Sequence, residues 1–164
     1  MATFRIPILG SSTKPESPVY PQPTSVNGTN NFFKPLIFIF PDSGTKDEIH
    51  GIFQVPQNYV GSPKAIVPWS STATSGNIVF DFDYRAVAAG ESMDQATAQE
   101  SVTVTDAAPS STDELQIAEM SLTAGNLSAG DMVPFILYRD GANASDTLTA
   151  DGSLYGVYFE YTDA

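Results

Sequence analysis

Apolar and polar side chains alternate most regularly in NIVFDFDYRAV, Asn77 to Val87. Ile78, Phe80, Phe82, Tyr84 and Ala86 fall on one side of an extended chain and Asn77, Asp81, Asp83 and Arg85 on the other. This is the two-residue period of a strand with one face in a core. Burying each large ring contributes roughly 1.5–3 kcal/mol, so the strand requires an apolar sheet opposite it. Shorter runs of the same kind predict strands over Phe4 to Leu9, Ile49 to Val55, Ala65 to Trp69, Ser101 to Thr105 with Val102 and Val104 inward, and Met132 to Arg139. Leu154 to Thr162 closes the set, with Tyr155, Val157, Phe159 and Tyr161 on one face. Leu36 to Phe40, LIFIF, is apolar on both faces and bounded by Pro35 and Pro41, as a strand covered on both sides would be. Leu115 to Leu122 admits two readings. Ser111 and Glu114 have capping-box spacing for a two-turn helix; as a strand, Leu115 and Ile117 face in and a bulge near Ala118 passes the inner face to Met120 and Leu122. The extended neighbours favour the strand.

Turn residues punctuate these runs at Asp42 to Asp47, Asn58 to Pro63, Ser70 to Gly76, Glu91 to Glu100, Leu127 to Asp131 and from Asp140 onward. Eight or nine strands so spaced indicate an all-β fold, an antiparallel two-sheet sandwich, with a jelly roll over residues 35–164 expected. An immunoglobulin-like sandwich is the alternative, though its Cys and core-Trp hallmarks are absent as a set. Residues 1–34 read as an extended N-terminal arm, with Pro15, Pro18, Pro21 and Pro23 spaced for irregular or polyproline extension. Ordering a backbone residue costs about 1–2 kcal/mol, which this composition cannot offset alone, so the arm is expected to lie along its own body or along neighbouring subunits. Pro7 confines the first strand to an edge or a subunit contact. Assembly contacts are expected at Phe4, Ile6, Ile8, Tyr20, Phe32, Phe33, Leu36, Phe38 and Phe40.

Charge narrows the function classes. The net charge of the 164 residues is −12. It is unevenly spread: Arg85 and Arg139 are the only basic residues after position 64. Such a body repels polyphosphate, so no nucleic-acid partner is expected. Absence of cysteine removes disulfide and thiolate-metal frameworks. No apolar run reaches the length of a membrane span and the N-terminus lacks a signal-peptide pattern, so the expectation is a soluble protein made in the cytoplasm, without a membrane partner.

Candidate chemistry is sparse. His50 is the single histidine, which excludes a histidine-rich metal centre and leaves it the only possible base of a Ser-His-Asp triad, without a Ser in nucleophile-elbow context. Asp81 and Asp83 point the same way with Arg85 beyond them. They could serve a glycosidase or bind calcium, but a solvated outer face is the simpler reading. Asp140, Asn143, Asp146 and Asp151 make an oxygen-rich loop without EF-hand spacing. Trp69, Tyr59 and Tyr84 could form a sugar-stacking platform, against the simpler reading of Trp69 as a core or interface anchor. No catalytic residue, metal site or cofactor is expected.

Four stretches resemble a tailed-bacteriophage virion protein with a small jelly-roll body: FQVPQNYVG near Phe53, PWSSTATSGNIVFDFDYRAVAAGESMD from Pro68, LSAGDMVPFILYRDG from Leu127, and the closing ASDTLTADGSLYGVYFEYTD. The resemblance implies a head decoration (cement) subunit on the virion capsid surface. It also implies a homotrimer bound to the major capsid protein or other virion proteins, anchored here through the arm. The alternative it carries is a tail-fibre or baseplate domain that recognises a host surface glycan through loops such as Glu91 to Glu100 and Asp140 to Asp151.

Overall fold

The computed structural model describes residues 1–8, 14–15, 22–25 and 35–163. In chain order the strands are β1 (Thr3–Pro7), β2 (Lys14–Pro15), β3 (Gln22–Ser25), β4 (Leu36–Phe40), β5 (Lys46–Gln54), β6 (Gly61–Ser71), β7 (Asn77–Tyr84), β8 (Glu100–Ala107) and β9 (Gln116–Ser121). A single 3₁₀ turn (Ala124–Asn126) precedes β10 (Met132–Asp140), β11 (Gly152–Leu154) and β12 (Tyr158–Thr162). All pairings are antiparallel.

One sheet runs β2–β5–β10–β7–β8. In the other, β6 is central. Its residues Lys64 to Ile66 pair with both β9 and β12, and Trp69 pairs with both β9 and β11, so β11 and β12 lie end to end along the edge of β6 away from β9. Beyond them, β4 flanks β11 and β1 flanks β12, with β3 outside β4. From β4 onward the chain therefore visits eight positions in two sheets: first, eighth, third and sixth in one, second, seventh, fourth and fifth in the other. That is the jelly roll expected from the strand spacing, with its eighth strand split in two.

The core lies between the sheets. Ile78, Phe80, Phe82 and Tyr84 of β7 are sealed from solvent as their alternation requires. Across the gap they meet Trp69, whose ring centroid is 5.9 Å from Phe80, and Phe40, at 6.0 Å. Phe53 of β5 packs on Phe159 of β12 at 4.9 Å. Phe82 and Phe135 stack at 5.1 Å within one sheet, and Gly51 makes room for the Phe135 ring, since a Cβ there would lie 2.4 Å from Phe135 Cζ.

Three local expectations change. The closing run is two strands, because Leu154 and Val157 are both buried, and residues three apart cannot share a face of an unbroken strand. The chain resets its phase through Tyr155 and Gly156. β9 is a strand, but Leu115 and Ile117 point outward, 58% and 42% exposed, while Ala118, Met120 and Leu122 are buried in simple alternation without a bulge. Ile117→Thr should therefore change stability by less than about 0.5 kcal/mol in urea denaturation; a larger loss would place Ile117 in the core. Finally, the turn read over Asp42 to Asp47 ends early: β5 already starts at Lys46 and carries Asp47 into the interior.

The residues expected at an assembly interface are divided. Ile8 and Phe40 belong to the core of their own chain and offer no surface to a partner. Ile6 and Phe38 are half-buried against that core. Phe4 stacks on Tyr161 at 5.6 Å and keeps 40% exposure, and Leu36 is 71% exposed. Tyr20, Phe32 and Phe33 lie outside the described residues. The two described pieces of the arm beyond Ile8 pair with β5 and β4 of the same chain.

Candidate functional site

The outer face of the five-stranded sheet holds a depression of about 590 Å³. Strand register explains its lining, because Ile136 and Tyr138 on β10 each have a neighbour on β5 and another on β7. Tyr138 lies between Glu48 and Asp81, and Ile136 between His50 and Asp83. Pro134 pairs with Ile52, and its carbonyl accepts from the Arg85 N–H. Tyr138, Ile136 and Pro134 make a half-buried floor down the middle strand. It runs about 13–14 Å, four residues of extended chain. Polar side chains rise on both sides: Glu48 and His50 on β5, Asp81 and Asp83 on β7 and Arg85 just past its end. The loop between β7 and β8 closes one end, contributing Gln95, Thr97 and Ala98, and Arg85 Nη1 holds it by donating to the Thr97 carbonyl at 3.3 Å.

Most of the groove's charges have partners. Lys46 Nζ donates to Asp81 Oδ2 at 2.8 Å, lies 3.4 Å from Asp140 Oδ2 and sits 5.0 Å above the Tyr138 ring. Thr103 donates to the other Asp81 oxygen at 2.6 Å. His50 Nε2 is 3.1 Å from Glu48 Oε1. Asp83 forms no ion pair among the described residues; its near neighbour is the Tyr138 hydroxyl. Burial first, then the charge of Asp83 and its hydrogen bond with the hydroxyl, and then the charges of Glu48 and Asp81 push the Tyr138 pKa up, so the phenol stays protonated at neutral pH. Among the described residues no three His, Asp or Glu side chains are placed to hold a metal ion.

The other candidates from the sequence are engaged elsewhere. Trp69 and Tyr84 are buried, which removes the stacking platform; Trp69 Nε1 donates to Asp106 at 2.7 Å and the Tyr84 hydroxyl donates to Glu100. Burial pushes the Glu100 carboxyl up, but donation from Tyr84, from the Thr123 N–H and hydroxyl and from Asn126 outweighs it and holds the group below the usual carboxylate range. In the oxygen-rich loop, Asp146 is turned onto Arg139. The guanidinium is fully buried and donates from Nε and Nη2 to both Asp146 oxygens at 3.1 and 2.8 Å. It also reaches the carbonyls of Leu148 at 2.7 Å, Ala150 at 2.9 Å and Phe40 at 3.4 Å. Asp151 accepts from the Asp42 N–H. Of the two loops proposed for recognition, the first reaches the groove and the second is clamped to the interior.

No family model matches the chain, and no curated protein matches it. Among solved structures, the K1 cleaved adhesin domain of Lys-gingipain from Porphyromonas gingivalis W83 is similar with a TM-score of 0.51 and 11% identity, over 99% of this chain and 99% of that one. CsCBM6-3 from Clostridium stercorarium, in complex with cellobiose, has a TM-score of 0.49 at 10% identity over 98% of this chain and 94% of that chain. A family 6 carbohydrate-binding module from Clostridium cellulolyticum, in complex with xylose, has 0.44 at 12% over 98% and 97%. At such identities the likeness is one of fold. It supplies the sandwich that the resemblance to phage proteins implied; none of these structures is a virion protein.

Proposed function

We propose that the protein is a non-catalytic carbohydrate-binding sandwich that holds a saccharide chain along β10 on the outer face of the five-stranded sheet. The observation carrying this is the cross-section of the groove: an aliphatic and aromatic floor between two polar rims. A pyranose ring has the complementary section, apolar on its faces and ringed by hydroxyls at its edge. Laid flat on Tyr138, Ile136 and Pro134, it would offer those hydroxyls to His50 on one side and to Asp83 and Arg85 on the other. The floor is long enough for several linked rings.

Binding without turnover fits the carboxylates. Glu48 and Asp81 stand on strands two apart, about 9–10 Å between backbones, with Tyr138 filling the space between them. Lys46 neutralises Asp81 and His50 engages Glu48, which leaves no matched acid and base converging on one bond.

The test is retardation of the full chain in native gels cast with soluble neutral polysaccharides, compared with a gel lacking polymer. Retardation by at least one polymer is expected, and Tyr138→Ala should weaken it about tenfold or more, the loss of one stacked aromatic contact. Migration unchanged across neutral and charged polymers alike would overturn the proposal.

A further inference from the structure

We infer that Asp83 sets the ligand class of this groove as a saccharide without anionic groups, its carboxylate accepting hydrogen bonds from adjacent ring hydroxyls; the inference rests on the glycan reading above. An ionised carboxylate is an acceptor only, so whatever contacts it must bring donors. Hydroxyls do so, and their bonds to an ionised acceptor are the stronger, charge-assisted kind. The carboxylates of uronic acids and sulfate groups bring none.

Three observations single out Asp83. The other carboxylates bordering the floor are engaged within the chain, Asp81 by Lys46 and Thr103 and Glu48 by His50. Asp83 has no cationic partner among the described residues, although it is half-buried; it meets only the Tyr138 hydroxyl, which leaves most of its lone pairs open. Its place is central, across Ile136 from His50 in the middle row of the floor and beside the Tyr138 hydroxyl, so a ring seated on Ile136 presents its edge to it. The surrounding field is negative as well. Glu48, Asp81 and Asp83 outnumber the cations Lys46 and Arg85 around the floor, and like charges brought together at an interface are strongly disfavoured.

Calorimetric titration separates the possibilities. The ligands are size-matched oligosaccharides, one neutral and β-linked, one of galacturonate and one of glucosamine, each titrated at neutral pH into the wild-type chain, Asp83→Asn and Asp83→Ser, with thermal melts to establish that both variants fold. The wild type should bind the neutral oligosaccharide and ignore the galacturonate. Both variants should bind the neutral ligand about 10- to 100-fold more weakly, the loss of hydrogen bonds to a charged partner. If the wild type binds the neutral ligand and both variants keep its affinity within about twofold, Asp83 is not the determinant while the glycan site stands. Galacturonate binding the wild type as tightly as the neutral or the glucosamine ligand would overturn the assignment to sugars without anionic groups. Failure of all three ligands on the wild type would bring down the glycan reading and this inference with it.

Discussion

Arg139→Ala is expected to lower the free energy of unfolding by about 3–5 kcal/mol in urea denaturation at neutral pH. The side chain has no solvent exposure and the Asp146 side chain only 2%, so removing the guanidinium strands a buried carboxylate. It also leaves the carbonyls of Phe40, Leu148 and Ala150 without this donor, and two of these lie in the loop between β10 and β11. Asp146 has a second task, accepting the Val79 N–H at 3.0 Å, so the damage extends to β7. Arg139→Lys should not rescue it, because an ammonium cannot reproduce a two-pronged contact with a carboxylate while reaching carbonyls on its far side. A loss below about 1 kcal/mol for either variant would show that the loop is held by something other than this cluster.

Asp47→Asn should make stability less dependent on pH, with the variant gaining on the wild type as pH rises from about 4 to 7. Asp47 is fully buried; Ser43 donates to one oxygen and the other has no hydrogen-bond partner among the described residues. Burial pushes its pKa up and Asp151 adds to this, only partly countered by the Ser43 hydroxyl and the nearby Arg139. A folded-state pKa above the unfolded one means that the native state binds the proton more tightly. Stability is then greatest below the unfolded value of 3.8 and is lost as pH climbs through the folded value. The amide carries no charge to desolvate, so the difference in unfolding free energy between variant and wild type should grow with pH and level off once the carboxyl is ionised in both states. A difference independent of pH would mean that Asp47 titrates alike in folded and unfolded chains.

Both residues mark the limit of what periodicity reveals. In β7 the inner positions are aromatic or aliphatic and all buried, as the alternation predicts, although the outward Val79 and Asp81 are covered too. In β5 and β10 the inner face ends in Asp47 and Arg139, which pair across the strands. A polar residue at the end of an apolar run looks like the start of a turn, and only the partner strand reveals that it is enclosed. The groove was hidden for the converse reason. Ile52, Pro134, Ile136 and Tyr138 make the outer faces of their strands apolar, which suggests a subunit contact until His50, Asp83 and Arg85 are seen to border them. His50 lies more than thirty residues before Asp83 and Arg85 and on the opposite side of β10, and register alone brings it to the same floor. β9 misled because Leu115 and Ile117 are the most apolar members of their run, although the smaller Ala118 faces the core.

Trp69 supplies the only indole of the chain, and it is sealed between the sheets on the far side of the core from the groove. Its emission should be that of a ring screened from water, shifted to short wavelength and hardly touched by dissolved quenchers, until the two layers come apart. The protein thus carries a built-in optical reporter of unfolding that stays silent when the outer face is occupied. Ligand titrations followed by selectively excited tryptophan emission would look flat even at saturation, whereas denaturation curves need no added dye.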